Sequence, residues 1–202
     1  MREALSTARP SRLRFAGFVT LVAGGALLGV GAIRTWGSVG LSAEIDPTRA
    51  IAGAIPGIDV WEGKLALAAA LVVLIGMLVL RLTHSSATRR LIAVAITVVG
   101  FGSAALALTV ALDAEDRFVQ TEGLDAYARV LSEELDLPFD QVRKDIEEVF
   151  FEDLLVEAGT GVWLTVAGGA LAGIGGVLSL MWVRQIERDR PAEPEPPKPL
   201  FA

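Results

Sequence analysis

The sequence predicts an all-α membrane protein of four transmembrane helices, with a β-hairpin-like first outer loop and an acidic helical hairpin between spans 3 and 4. Three observations predict this fold class. Hydrophobic residues make up 52% of the 202 residues and charged residues 21%, and the charges leave four long uncharged runs. The connection between the first two runs alternates apolar and polar residues. The connection between the last two is strongly acidic and carries helical apolar stripes.

The four uncharged runs locate the spans. Between flanking charged residues they hold 19, 16, 22 and 26 residues, close to the roughly 20 that cross a bilayer core as a helix. The second run extends past Arg81, whose long side chain can reach the interface. Glycine and β-branched residues do not prevent helices here, because lipid offers the backbone no other hydrogen-bond partner. The predicted transmembrane helices are residues 15–33, 64–82, 90–112 and 160–183.

The first run also allows a second interpretation, as a cleaved signal peptide. Arg9, Arg12 and Arg14 precede it, and Val30-Gly31-Ala32 is an acceptable cleavage site. Its uncharged stretch is nevertheless longer than the roughly 7 to 15 residues of a signal-peptide core. We therefore favour a transmembrane helix.

The distribution of basic residues predicts the orientation. Eleven of the 18 Arg and Lys residues lie in residues 1–14, 81–90 and 184–202, and such segments are retained in the cytoplasm. The expected cytoplasmic parts are a basic tail (1–14), a turn (83–89) and a Pro-rich disordered tail (184–202). Arg outnumbers Lys by 15 to 3, a composition typical of GC-rich bacteria. The expected location is therefore the bacterial plasma membrane, with both termini cytoplasmic.

The first outer loop, residues 34–63, has the period of a strand. Apolar residues from Val39 to Ile45 alternate with polar or small ones, as in a half-buried strand. Asp46-Pro47-Thr48-Arg49 has the chemistry of a turn, and a return strand over 50–55 would close a β-hairpin. An irregular Gly-rich loop is the alternative.

The second outer segment, residues 113–159, carries 15 acidic and 4 basic residues. Two apolar stripes with helical spacing predict amphipathic helices on either side of Asp136-Leu137-Pro138, and Pro138 is suited to the first turn of the second helix. The segment is therefore predicted to form an acidic helical hairpin. The stripes are Leu124, Tyr127, Ala128, Leu131 and Leu135, followed by Phe139, Val142, Ile146, Val149, Phe150 and Leu154.

Neither catalytic residues nor a cofactor site is predicted. The chain has no Cys and one His, His84, which excludes thiolate zinc sites and Cys nucleophiles. The membrane core of the spans contains no ionisable side chain, whereas proton-coupled transporters and intramembrane enzymes keep such groups there. Two clusters of three acidic residues could bind a cation, but the calcium-loop pattern is missing. We therefore interpret these clusters as a solvated face and predict no metal site. They are Asp113, Glu115 and Asp116, and Asp145, Glu148 and Glu152.

Tryptophans and glycines have structural interpretations in the spans. Trp36, Trp61 and Trp163 fall at the outer boundary and Trp182 at the inner one, which predicts interface anchors; Trp36 and Trp61 could also clamp the hairpin. Small residues in the fourth span allow close helix contact. We favour packing inside the bundle over a homo-oligomer, which would use Gly161, Gly169 and Gly173.

Three sequence motifs carry a family resemblance. They are Thr35-Trp36, the run from Gly57-Ile58-Asp59-Val60-Trp61 to Lys64, and the run from Gly159 to Leu164. On these motifs the chain resembles the tryptophan-associated membrane proteins, small four-span proteins common in actinobacteria. The resemblance implies the four-span plan and brings no established activity. The long acidic segment departs from the usual short second loop.

The sequence predicts a non-enzymatic membrane protein whose outer face has an interaction or accessory role in the cell envelope. Expected partners are membrane lipids and an envelope protein, with no nucleic acid. One alternative is a lipid or small-ligand binder or transport accessory, and the other is a membrane enzyme using outer-loop carboxylates. A polar cleft lined by Asp59, Glu62 or Asp113 would favour the alternatives. The interaction candidates are Glu133, Glu134, Glu147 and Glu148.

Overall fold

The computed structural model describes residues 2–41, 53–118, 122–149 and 154–189. Within these ranges, four helices contain stretches long and apolar enough to cross a membrane, and a small sheet lies at one end of their bundle. The four-span prediction is confirmed. The helices are α1 (Arg2–Ile33), α2 (Trp61–Leu82), α3 (Ser86–Leu112), α4 (Ala114–Phe118), α5 (Leu124–Leu135), α6 (Phe139–Val149) and α7 (Thr160–Arg188), and the strands are β1 (Thr35–Leu41), β2 (Gly53–Pro56) and β3 (Leu154–Ala158).

Helix α7 is the centre of the bundle, because its small residues face α1 on one side and α3 on the other. A β-carbon on Gly24 of α1 would lie 2.5 Å from the backbone nitrogen of Ala172, and one on Gly169 would lie 2.6 Å from the carbonyl oxygen of Gly100. Gly161 faces the carbonyl of Gly31, and Gly173 faces the ring of Phe101. The glycines considered for a homo-oligomer are therefore covered within the chain.

Two tails are more helical than expected. Helix α1 begins at Arg2, inside the predicted basic tail, and α7 continues to Arg188, inside the tail predicted to be disordered. Residues 184–188 contain residues that favour helix, and Glu187 forms an ion pair with Arg90 of α3. The disordered-tail prediction is thus wrong for 184–188. Residues 190–202 lie outside the described part of the chain.

The segments between spans 1 and 2 and between spans 3 and 4 combine into one folded unit, which we call the cap: β1, β2, β3, α4, α5 and α6. Its sheet has the order β2-β1-β3 with antiparallel pairs, and Val39 lies opposite both Gly53 and Val156. The β1–β2 pair agrees with the predicted hairpin-like loop, although the turn predicted at 46–49 falls outside the described residues. Strand β3 corrects the prediction that Leu154 belongs to the second helical stripe. The edge of β1 opposite β2 offers backbone hydrogen-bond groups, which a strand satisfies and a helix cannot.

The acidic helical hairpin is confirmed by α5 and α6. Asp136 ends α5 in the left-handed conformation, with φ 52°, which Asp tolerates better than most residues. Leu137 N–H donates to the carbonyl of Ser132, and Pro138 accepts backbone bonds in the first turn of α6. Pro138 therefore lies directly before α6, one residue ahead of the predicted first-turn position, where a residue without an N–H loses no helical bond.

The cap and the ends of the spans share one hydrophobic core. The inner side of α5 packs against the sheet and that of α6 packs against α5, and the core continues to the adjoining ends of the spans. The cap is therefore packed on the bundle and is part of the same fold. Its buried residues include Val39, Ile55, Phe118, Leu124, Tyr127, Val142, Ile146 and Val156, with Ala107, Val110 and Val162 from the spans.

Candidate functional site

The surface of α5 and α6 that faces away from the core is acidic, because most apolar residues of both helices are turned inward; Leu135 and Val149 at the helix ends are exposed. Residues 122–149 contain nine acidic and three basic residues. All four predicted interaction candidates are exposed. Glu133 and Glu134 lie beside the connection between the helices, whereas Glu147 and Glu148 lie roughly 12 Å further along α6 at 1.5 Å per residue. The candidates thus form two pairs at opposite ends of the hairpin.

Ion pairs distinguish the two ends of this acidic face. Arg143 Nε donates to Asp125 Oδ1 at 2.7 Å and so joins α6 to α5. Arg143 Nη1 also lies 3.4 Å from Glu147 Oε2. The hydrogen bond and the charge of Asp125 raise the pKa of Arg143. Lys144 lies 3.7 Å from Glu148. Glu133 and Glu134 form no ion pair with a described side chain, so the end near the connection carries the least compensated negative charge.

The three sequence motifs meet around Trp36, at the junction of cap and bundle. The Trp36 side chain is 0% exposed, and its Nε1–H donates to the carbonyl of Gly31 at 2.9 Å. Gly57 and Gly161 lie against the indole so closely that a β-carbon on either would overlap the ring. Gly159 N–H donates to the Trp36 carbonyl at 2.7 Å. Glycine is required at positions 57 and 161 because the indole fills the space of a side chain.

The sequence predicts Trp36 as an anchor at the lipid boundary, and this prediction is wrong because the indole is buried in the protein. The position of a Trp at the end of a span does not reveal which side of the helix end it occupies, and here the indole points into protein. Trp61 and Trp163 are 62% and 51% exposed, and Trp182 lies half-buried near the other end of α7. These three have the positions that interface anchors require, and their contact with a bilayer interface stays a prediction.

A buried carboxylate lies next to Trp36. Glu62 belongs to the first turn of α2, and its side chain is 11% exposed. Arg117 of α4 donates from Nη1 to Glu62 Oε1 at 3.0 Å and compensates this charge. The cleft that Glu62 lines with Trp36, Ser103 and Thr165 has a volume of about 20 Å³, which is room for about one water molecule. This cleft cannot hold a substrate or a lipid.

The described residues contain no group of three His, Asp or Glu side chains that could hold a metal ion. Of the two carboxylate groups noted in the sequence, Asp113, Asp145 and Glu148 are exposed. The side chains of their partners Glu115, Asp116 and Glu152 lie outside the described part. His84 is exposed in the connection between α2 and α3.

Three features that hold the cap in place are not predicted from the sequence: strand β3, the Glu62–Arg117 pair and the Asp125–Arg143 pair. Their partners are distant in the chain, since 55 residues separate Glu62 from Arg117 and 18 separate Asp125 from Arg143. A usable signal existed for Glu62, because it is an acid within an apolar helix start. Such a residue needs a basic partner when it is buried.

A comparison with known protein families agrees with the resemblance seen in the sequence. A family model described as tryptophan-associated transmembrane protein matches residues 18–195, which is most of the chain and includes the cap. Its description places its members in a membrane and states no activity. No curated protein matches the chain.

Proposed function

The chain belongs to the tryptophan-associated transmembrane protein family, and we propose that it is a non-enzymatic multi-pass protein of the bacterial plasma membrane. Its role is to contact a basic component of the cell envelope through the acidic surface of the cap. The observation that carries the proposal is that the cap is packed on the bundle and presents the acidic sides of α5 and α6 outward.

Packing fixes the acidic surface in one orientation. Leu124 and Tyr127 of α5 and Ile146 of α6 are at most 3% exposed and lie in the core shared with the sheet. An amphipathic helix adsorbed on lipid would instead turn this apolar side toward the bilayer. Because most of the apolar side chains are occupied inside the chain, the charged sides face solvent, where a soluble or protein partner can contact them.

Charge complementarity specifies the partner as basic. Six net negative charges on residues 122–149 create a field that attracts cationic surfaces and raises their rate of encounter. The side of the membrane follows from the eleven basic residues at the opposite end of the bundle and in the tails, which favour the cytoplasm. The cap then faces the cell exterior, where envelope components are accessible.

The geometry near Glu62 supports an interaction role over ligand binding or catalysis at this end of the molecule. Asp59 and Asp113 are exposed, and the cleft lined by Glu62 has room for about one water molecule. A reacting substrate needs a concave site of at least a few hundred Å³. The described part of the cap is therefore better suited to contact with a macromolecule than to enclosing a small ligand near Glu62.

The test is photo-cross-linking in native membranes. A photoreactive residue replaces Gln141, which is exposed on α6, and cross-linked partners are identified by mass spectrometry. The combined variant Glu133→Gln, Glu134→Gln, Glu147→Gln and Glu148→Gln should lower the cross-link yield about tenfold at low salt. The loss should shrink as salt is raised, because ions screen exposed charges.

Matched controls separate the cap surface from acidity in general. The variant Asp59→Asn with Asp113→Asn removes two exposed carboxylates near the junction and should keep the yield. Since the chain has no Cys, an impermeant thiol reagent should label Gln141→Cys and not Ser86→Cys in intact cells. An unchanged yield in the Gln variant would contradict the proposal, and loss of a measurable turnover through a single Gln would favour the enzyme alternative.

A further inference from the structure

The end of the bundle opposite the cap contains a large cavity between the spans. Its volume is about 590 Å³, within the range of small-molecule sites. All four spans contribute to its walls. The residues that matter are Arg14 and Phe18 of α1, Met77 and Arg81 of α2, Arg89 just after the start of α3, and Trp182 of α7.

Three guanidinium groups converge on this cavity and are held by aromatic rings. Arg81 Cζ lies 4.0 Å from the centroid of the Phe18 ring, and Arg14 Cζ and Arg89 Cζ lie 5.5 and 5.2 Å from that of Trp182. Arg89 Nε also donates to the carbonyl of Thr83 at 2.7 Å. These contacts orient the planar groups, and most of their N–H donors have no partner among the described residues.

The three arginines lack a compensating negative charge among the described side chains. The ion pair of this end joins Glu187 to Arg90, which does not line the cavity. Three positive charges in one cavity repel each other, and an anion placed between them would remove that repulsion. Arg guanidinium groups match the geometry of phosphate oxygens, which they bind through paired hydrogen bonds.

The other walls of the cavity are apolar. Leu21 and Leu80 are 1% and 6% exposed at its inner side, and Met77 lies beside them. Phe15, also on the wall, is 70% exposed on the surface of a predicted span. A ligand that fills this site needs an anionic head for the arginines and an alkyl chain for the apolar wall.

We propose that this cavity binds an anionic phospholipid, with its phosphate between Arg14, Arg81 and Arg89 and the start of its acyl chains against Phe18 and Met77. Basic pockets between spans recognise such headgroups, most often on the cytoplasmic side of a membrane. This site is independent of the cap surface, because the two lie at opposite ends of the bundle. The ligand chemistry is the phosphate ester, and the apolar wall favours a lipid over a free anion.

The test uses the full-length protein in mild detergent. It is titrated with short-chain phosphatidylglycerol, short-chain phosphatidylcholine and inorganic phosphate, and binding is measured by native mass spectrometry and by thermal shift. Phosphatidylglycerol should bind more tightly than phosphatidylcholine, and inorganic phosphate should bind weakest. The variant Arg14→Gln, Arg81→Gln and Arg89→Gln should lose affinity for phosphatidylglycerol by roughly tenfold per guanidinium removed.

Two further variants make the result specific. Arg184→Gln with Arg188→Gln removes two exposed arginines at the same end of α7, outside the cavity, and should change the affinity less than twofold. Arg81→Lys keeps the charge but loses paired hydrogen bonding, so its affinity should lie between those of the wild type and Arg81→Gln. This single substitution also tests the site if the triple variant does not fold.

Four outcomes would overturn the proposal. The first is unchanged phosphatidylglycerol affinity in folded Arg81→Gln and triple variants. The second is equal affinity for phosphatidylcholine and phosphatidylglycerol, which would mean that the arginines do not select the headgroup. The third is inorganic phosphate binding as tightly as phosphatidylglycerol, which would assign the cavity to a free anion. Loss of binding in the control pair alone would likewise place the lipid elsewhere.

Discussion

The two ends of the bundle differ in whether their enclosed charges have partners of opposite charge. At the cap end, the buried carboxylate of Glu62 has a basic partner in Arg117, and the space beside it holds about 20 Å³. At the other end, Arg14, Arg81 and Arg89 surround about 590 Å³ with no ion pair to a described carboxylate. The buried charge at the cap end is compensated and lies in a closed space, whereas the charges in the arginine cavity are open and uncompensated among the described side chains.

This difference indicates two kinds of binding. A closed, packed end with exposed charges on its outer surface is suited to a macromolecule, which contacts many residues at once. An open end whose charges point into a cavity is suited to a small ligand that enters it. Charge alone does not distinguish the two, since both ends are strongly charged; the distinction lies in where the charges point and what already compensates them.

Removing Trp36 should have the largest effect, because it should destabilise the cap and leave the arginine end intact. The variant Trp36→Ala deletes a fully buried indole at the only described point where all three sequence motifs meet. The expected loss of stability is about 3–5 kcal/mol. Limited proteolysis should cut the cap first, and the melting temperature in detergent should fall, while phosphatidylglycerol binding at the arginine end persists below that temperature.

Trp61→Ala is the matched control, because Trp61 begins α2 beside the same junction but is 62% exposed. Its melting temperature in detergent should stay close to that of the wild type. Equal destabilisation by the two substitutions would show that Trp36 does not hold the cap. Loss of lipid binding together with the cap would show that the two ends are not independent.

The sequence predicts the spans of this molecule, but it does not predict the contacts that join them. Uncharged runs locate the spans because the bilayer imposes a length on them. Leu154 was placed in a helical stripe because its spacing from Ile146 and Phe150 is helical, but its conformation is decided by pairing with Leu41 of β1, far away in the chain. Trp36 looked like an interface anchor for a similar reason: its position along the chain does not specify what surrounds it.

The arginine cavity could not be predicted for the same physical reason. Arg14, Arg81 and Arg89 each follow or precede an uncharged run, where basic residues are expected simply from the orientation rule. Their convergence depends on how the four helices pack. The acidic surface was predictable because the residues of one amphipathic helix share a side by periodicity alone.

The second largest effect should come from Arg117→Ala, which tests whether an arginine paired with a buried carboxylate contributes more to stability than an unpaired one. Without Arg117 the Glu62 carboxylate, 11% exposed, loses its partner, and the expected cost is about 1–3 kcal/mol. Arg81→Ala at the other end leaves no carboxylate without a partner among the described residues, so stability should change by less than about 0.5 kcal/mol. Melting temperatures in detergent measure both.

The outcome of the double variant decides how the Arg117 result is interpreted. If the lost partner of Glu62 is the cause, Glu62→Gln combined with Arg117→Ala should recover part of the stability, because no buried charge then remains. No recovery would assign the loss to the packing of α4 instead. A destabilisation by Arg81→Ala as large as that by Arg117→Ala would remove the difference between the two ends.

The smallest effect should come from the exposed pair on the cap surface, Asp125 and Arg143. Arg143→Ala should lower the melting temperature by roughly a third or less of the fall caused by Arg117→Ala, because water and salt already screen exposed ion pairs. The pKa of Arg143 is raised by Asp125, so the guanidinium stays charged and the pair should persist as pH rises through the alkaline range. A double-mutant cycle with Asp125→Ala, measured at low and high salt, isolates the coupling between the two side chains. Coupling that vanishes in salt would confirm a solvent-exposed pair, whereas coupling as large and salt-resistant as that of Glu62 and Arg117 would mean that the acidic surface is itself a buried interface within the cap.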